Sequence, residues 1–388
     1  MFYEVITRVS ASKRNAKETN RTAEKLVHLL PKPQTLDPGA SKRTPTESVE
    51  LKNPRLSPRR AITVSSSARL HLGFIDPNGS LGRSFGSVGL TIEGHDTRIT
   101  AKPSQQATRI QGTTTQAQHD RIREHVEQLK AALNESRHVD IEVHETPRPH
   151  TGLGSGTQLA LAVGTAFARI TGHHVDTAEI ARILHRGARS GIGIHGFDHG
   201  GLIVDGGRNN ASTLPPLIAR QSFPDAWRIL LIDDTSREGL HGDAEKRGLA
   251  ALAPFPAALA AHLSHLVLMQ ILPAVAESDF DTFASAITIM QQTIGEYFAP
   301  VQGGLFASPA VAHALEAVAA EQKAGIGQTS WGPVGFAFLA SAEDAERALV
   351  TARQAARNAP LACSITTARN RGATWRAADH RHRGADAA

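Results

Sequence analysis

The chain has 388 residues, 42 Lys and Arg against 37 Asp and Glu, a formal net charge of +5 and a single cysteine. That length admits two domains around a large core. One cysteine, Cys363, excludes an internal disulfide framework or a cysteine-built metal site and fits a reducing, cytoplasmic compartment.

Residues 1–60 carry many Lys and Arg among Pro, Ser and Thr with little to bury, and residues 371–388 add Arg and His, so both read as disordered basic extensions. Neither interleaves aromatic residues with its charge, and no nucleic-acid partner is expected. No apolar core of signal-peptide length precedes the polar run at Ser12. The most apolar stretch, 249–276, is broken by Pro254, Pro256 and Pro273, which predicts a buried helix and not a membrane span.

Between the extensions the pattern predicts a first domain over 61–225 and a second over 226–370. Ile62 and Val64, Leu70 and Leu72, Val88, Leu90 and Ile92 alternate in short runs, separated by turn clusters at Asp76-Pro-Asn-Gly79 and Glu93-Gly-His-Asp96. An antiparallel sheet follows from that. Ile122, Val126, Leu129 and Leu133 mark one helix face, residues 138–144 alternate as a strand, and Leu159, Val163, Ala166 and Ile170 mark a second helix. A third helix is expected over 178–189, and strands over 201–205 and 227–233. Helices over 243–275 and 279–298 follow, then a glycine-rich turn and strand over 325–338, a helix over 342–356 and a strand over 361–366. Strands first, then mixed elements, give an α+β fold and not a doubly wound one.

The segment Gly152-Leu153-Gly154-Ser155-Gly156-Thr157 lies between the 138–144 strand and the helix that follows. A glycine-rich turn that opens a helix offers unpaired amides and the positive end of the helix dipole, which suits phosphate. A plain capped turn is the simpler alternative, but three glycines at alternate positions exceed what a cap needs. No Lys precedes Thr157, so this is not a Walker A loop.

Downstream, Gly191, Gly193 and Gly196 match a dinucleotide fingerprint by letter only, since a helix and not a strand precedes them. Asp198 and Asp205 sit in this glycine-dense run, either as turn-capping carboxylates or as Mg²⁺ ligands, and His195 and His199 are candidate proton donors to a leaving group. Asp233 and Asp234 stand at a strand end, where a polar exit is the simpler reading than a ribose or metal contact.

Taken together, these segments resemble the GHMP superfamily of small-molecule kinases. Within it, Ala68-Arg-Leu-His-Leu-Gly-Phe-Ile-Asp76, Gly152-Leu-Gly-Ser-Gly-Thr-Gln158, the 189–207 run and Gly327-Gln-Thr-Ser-Trp-Gly-Pro333 resemble the β-ribofuranosylaminobenzene 5'-phosphate synthase family. The resemblance implies a two-domain GHMP-kinase-like fold, with an N-terminal domain like ribosomal S5 domain 2 and a ferredoxin-like C-terminal domain. It implies a pentosyltransferase that joins 5-phosphoribosyl 1-diphosphate to 4-aminobenzoate with loss of carbon dioxide and diphosphate, with Mg²⁺, toward tetrahydromethanopterin. Diphosphate would lie on residues 152–157. Arg69, His71, Ser190, Gly191, Gln328, Thr329, Ser330 and Trp331 would contact substrate, and Asp198, Asp205, His195 and His199 would be catalytic, the two aspartates also holding metal. A homodimer is left open. Where the kinases carry an aspartate base in Ser-Gly-x-Asp, this chain has Ser190-Gly-Ile-Gly193, and a glycine cannot take a proton. An ATP-dependent kinase and a non-catalytic metabolite sensor remain the alternative readings.

Overall fold

The computed structural model describes residues 61–209 and 214–377. The extension assigned to 1–60 and the stretch 378–388 lie outside the described residues. The chain runs β1 (Ile62–Asp76), β2 (Phe85–Ser104), β3 (Ile110–Gly112), α1 (Gln116–Leu133), β4 (His138–Glu145), α2 (Ser155–Thr171), α3 (Thr177–Ile183), α4 (Ile192–His199), β5 (Leu202–Asp205) and β6 (Leu217–Gln221). It continues with β7 (Arg228–Asp234), α5 (Gly242–Ala251), α6 (Ala257–Leu266), a π turn (Val267–Ile271), α7 (Leu272–Glu277), α8 (Phe280–Gln302) and α9 (Pro309–Glu321). β8 (Gly325–Gln328), β9 (Val334–Leu339), α10 (Ala342–Ala355), β10 (Leu361–Thr366) and β11 (Thr374–Ala377) complete it.

Two sheets organise these elements. The first places β1 and β2 antiparallel at its centre, with β11 beyond β1, β4 and then β3 beyond β2, and the β5–β6 hairpin also on β2. The second is antiparallel in the order β10-β7-β9-β8, the 4-1-3-2 order of the expected ferredoxin-like arrangement. Its central strands are buried on both faces: Ile229, Leu231, Phe336 and Phe338 point into the core shared with α8. Leu230, Ile232, Ala337 and Leu339 point instead at α9 and α10. Burial on both faces is why these strands read as continuous apolar runs without alternation.

The two sheets are not independent. Leu70, Leu72, Val88, Leu90 and Ile92 of the first share one apolar core with Ile287, Met290, Phe283 and the inner face of the second. On its other side the first sheet is covered by α1 and α2 through Ile122, Val126, Leu159, Val163 and Phe167. The helix running Ala257–Glu277 is long and apolar enough to cross a membrane by length and composition, but its Leu263, Val267 and Ile271 are buried in the shared core.

Three expectations are corrected. Glu93-Gly-His-Asp96 is not a turn. It is a bulge inside β2, marked by the register shift between Ser67 and Arg69 of β1. There Glu93 N donates to Thr367 O at 2.9 Å, and Arg369 pairs with the Glu93 carboxylate at 2.9 Å. The turn composition was real, but a partner segment from the far end of the chain fills it. Residues 371–377 are likewise no solvated tail, since β11 adds to β1 with Val64 opposite Trp375. The helix expected over 178–189 ends at Ile183, with His185 in the left-handed region at φ 54°, and residues 184–190 run on as a loop.

His125, on the buried face of α1, is kept neutral. Burial first, then the Arg186 guanidinium, lower its pKa to about 4. An unfolded chain takes up this proton near pH 6.5, so the folded state is progressively destabilised as pH falls from about 6.5 toward 4, with no contribution above that window. His125→Gln keeps an acceptor for Arg186, whose Nη2 lies 3.2 Å from Nε2. It is expected to flatten the decline of the urea midpoint between pH 6.5 and 4; a slope equal to the parent's would refute this assignment.

Candidate active site

The loop between β4 and α2 depends on glycine at two points. Gly152 (φ +83°) has no room for a side chain, since a Cβ there would lie 2.3 Å from Thr329 O. Gly154 (φ +80°) is the N-cap of α2, and a Cβ on it would lie 3.0 Å from the Arg69 Cζ. No side chain caps α2, so its first amides and dipole are turned toward whatever occupies the adjoining space. That space is a cavity of about 360 Å³ lined by Gly152, Gly154, Ser155, Gly156 and Thr157. Arg121 and Gln118 of α1 form its other wall, with His150 and His241, whose rings stack at 3.5 Å. The loop expected to hold phosphate thus presents an uncapped helix start to a cavity. Leu153 is the exception in the run. Its side chain is buried in the shared core and its carbonyl accepts from Arg69 N at 3.1 Å.

A second cavity, about 340 Å³, adjoins the first, and Thr157 and Arg186 line both. β1 contributes Arg69 and His71, the 184–190 loop contributes Arg189 and Ser190, α5 contributes Glu245, and α8 contributes Gln291 and Phe298. Gln328, Ser330 and Trp331 close it from the turn before β9. Charge here is organised by one carboxylate: Glu245 holds Arg189 through bonds of 2.5 and 2.9 Å and accepts from Trp331 Nε1 at 3.0 Å. Burial lowers the Arg69 pKa to about 10, with Glu245 acting the other way. Arg69 therefore stays a cation at neutral pH, poorly hydrated and strongly disposed toward an anion. The lining is also aromatic, with Phe298 against Trp331 at 4.6 Å and His71 against Phe74 at 4.7 Å.

The residues expected from sequence divide sharply. Arg69, His71, Ser190, Gln328, Ser330 and Trp331 come together at the second cavity. Thr329 stands behind its wall, accepting from His71 N at 2.9 Å and donating to Gly152 O at 2.8 Å. Gly191 is likewise structural, its N–H held by Asp205 at 2.8 Å. Asp198, His195, His199 and Asp205 line neither cavity. Asp198 and His199 are exposed at the end of α4, where Asp198 accepts from Thr177 at 2.6 Å. His195 Nε2 lies 2.8 Å from Pro215 O. Asp205 is buried with both oxygens occupied, by Ser87, Gly191 N and Gly207 N at 2.7 to 3.0 Å. Burial raises its pKa against those bonds. Asp205 thus holds the glycine turns around it and Asp198 bonds to the start of α3; among the described residues no group of three or more His, Cys, Asp or Glu is placed to hold a metal. Asp233 and Asp234 are also spent locally, on Arg148 and on Ser308 and Ser236.

Sequence reasoning missed Arg186, Arg189, Glu245, Gln291 and Phe298. Arg189 opened a motif already noted and was recoverable from it. Glu245 and Gln291 lie on ordinary helices, and nothing local marks them.

With this geometry in place, comparison with known proteins is decisive. The chain is 30% identical to the beta-ribofuranosylphenol 5'-phosphate synthase of Methanothermobacter thermautotrophicus, over 80% of this chain and 98% of that one. It belongs to that family. A synthase of the same name from Archaeoglobus fulgidus is 39% identical over 60% of this chain and 75% of its own. Residues 120–203 match the GHMP kinases N terminal domain and residues 271–358 the GHMP kinases C terminal. Solved structures share the fold at low identity: homoserine kinase from Cytophaga hutchinsonii (TM-score 0.56, 13% identical, 81% and 97% of the two chains) and mevalonate diphosphate decarboxylase from Staphylococcus aureus (0.60, 10%, 82% and 98%). The synthase relatives are named for a phenol, where the sequence motifs suggested an aminobenzene.

Two sets of variants test these placements. Gly154→Val forces a β-branched residue into the left-handed region, at about 1–2 kcal/mol, and drives it into Arg69. Binding of 5-phosphoribosyl 1-diphosphate, followed by calorimetry, is expected to weaken at least tenfold. Gly156→Ala, where a Cβ meets nothing within 4 Å, is expected to bind as the parent does. Asp198→Asn is expected to leave turnover and its Mg²⁺ dependence unchanged. Asp205→Asn is expected to lower stability by about 1–3 kcal/mol through unmade buried bonds. A Mg²⁺ dependence altered in Asp198→Asn would restore the metal role.

Proposed function

We propose that this synthase-family protein is a decarboxylating pentosyltransferase, joining the anomeric carbon of 5-phosphoribosyl 1-diphosphate to a para-substituted benzoate. One observation carries the reading: an uncapped glycine loop and a cationic, aromatic-lined cavity meet at Thr157 and Arg186. The loop amides with Arg186 suit the diphosphate, and the second cavity suits a flat acid, with Trp331 and Phe298 for the ring and Arg69 for its carboxylate.

The chemistry then needs little from the protein beyond position and charge. The anomeric C–O bond breaks and its electron pair leaves with diphosphate. The ring carbon bearing the carboxylate attacks the anomeric carbon. The bond to the carboxylate carbon then breaks, its electrons restore the aromatic ring, and carbon dioxide departs. No net proton is gained or lost. Phosphoryl transfer to an alcohol would instead call for a base, and Gly193 supplies none. Glu245, the one carboxylate lining the second cavity, is bound to Arg189 and Trp331. Mg²⁺ belongs to this reading as the counter-ion of the donor's diphosphate, and a cytoplasmic location and the path toward tetrahydromethanopterin belong to it as well.

The phenol in the relatives' name favours 4-hydroxybenzoate as acceptor over 4-aminobenzoate. Purified protein, 5-phosphoribosyl 1-diphosphate and either acid labelled in its carboxyl group are expected to release labelled carbon dioxide, faster with the hydroxy acid. Formation of ADP from ATP and a small alcohol, without such release, would overturn the proposal. Arg69→Ala is expected to lower kcat/KM by roughly 10²–10³-fold, the scale of a lost charge-stabilising donor.

A further inference from the structure

His71 is 5% exposed and lines the second cavity, yet its Nε2 is buried without a hydrogen-bond partner among the described residues. A buried nitrogen left unpaired costs free energy unless something else completes it. The residue is rigidly set. Its backbone N–H donates to Thr329 Oγ1 at 2.9 Å, its carbonyl accepts from Ser330 N at 3.2 Å, and Phe74 packs edge-on against its ring at 4.7 Å. Burial, then Arg69, then Arg189 lower its pKa to about 3, so the ring is neutral throughout the working range. A neutral imidazole carries one N–H and one lone pair; with the proton on Nδ1, Nε2 is an acceptor with no donor among the described residues.

Resting on the acceptor class given above, we propose that His71 is the specificity-determining residue for the acceptor: its Nε2 takes the hydrogen of the hydroxyl or amine para to the carboxylate. Position supports this pairing. Arg69 lies against Gly154 of the glycine loop, which puts the carboxylate end of the acid, and therefore the ring carbon that attacks, beside the departing diphosphate. His71 is two residues further along the same strand, roughly 7 Å away at the usual rise per residue, a span comparable with that between the para substituents of a benzene ring. A carboxylate at Nε2 would face a lone pair, so the acid is read in one direction only. The same bond draws electron density from the O–H or N–H into the ring, toward the para carbon that must attack, and the hydrogen stays with the product.

The test is equilibrium binding of 4-hydroxybenzoate and of 4-fluorobenzoate, which lacks the donor, to the whole protein. Parent protein is expected to favour the hydroxy acid about tenfold, the scale of one buried hydrogen bond. In His71→Leu the ratio should fall to about one while affinity for 5-phosphoribosyl 1-diphosphate is retained. In His71→Gln, whose amide oxygen can stand near Nε2, part of the preference should return. A parent protein that binds both acids equally, or a preference that survives in His71→Leu, overturns the proposal. If His71→Leu fails to fold, the parent's ratio and His71→Gln decide it. Discrimination without carbon dioxide release would sink the reaction proposed above and leave His71's role standing; release without discrimination would do the reverse.

Discussion

One carbonyl oxygen holds the two cavities in register. Gly152 O accepts from Arg69 Nη1 and from Thr329 Oγ1, and Thr329 Oγ1 in turn accepts from His71 N. β1, the phosphate loop and the turn before β9 come from three distant parts of the chain, and they meet at this point. The approach is close enough that only glycine fits at 152. Every placement that matters follows from it: the loop is fixed relative to Arg69, and His71 relative to both. A site whose parts are held by hydrogen bonds between backbone and short side chains loses little geometry to thermal motion, which suits a reaction that relies on position.

The electrostatics rest on that frame. Arg69, Arg186 and Arg189 line the second cavity, and guanidiniums held close together repel each other. Glu245 offsets part of this by binding Arg189, with Trp331 donating to the same carboxylate. The result is a cavity with Arg189 neutralised and Arg69 and Arg186 left without a carboxylate partner among the described residues. His71 stays neutral first because it is buried, and the Arg69 and Arg189 guanidiniums oppose its protonation further. The same charges that would attract an acid thus reinforce the neutrality that burial begins.

Most of the fold was legible in the sequence, and the reasons differ by element. β10 over 361–366 and β4 over 138–145 were readable because their alternation or apolar run is local. The glycine turn before α2 was readable because glycine at 152 and 154 answers to backbone conformation. The bulge at Glu93 and strand β11 were not, since each exists only through a partner far away in sequence. At the site, Arg69, His71 and Trp331 were found through their motifs. Glu245 and Gln291 were missed because helical periodicity reports which face is buried and says nothing of which polar residue on a rim will meet a cavity. Asp198 and Asp205 were singled out yet line neither cavity. Glycine-dense surroundings allow a ligand to approach, but here the backbone itself fills that space and consumes the Asp205 carboxylate.

The return of β11 to the edge of β1 also bears on how the chain reaches its native state. β1 is the first described strand and β11 the last, so the opening sheet lacks an edge until nearly all of the chain has been made. The bulge in β2 waits equally long for Thr367 and Arg369. During synthesis the first lobe is thus exposed with an unpaired strand edge and an unfilled gap, a state prone to mispairing. Its closure by β11 makes completion of the second lobe the event that seals the first.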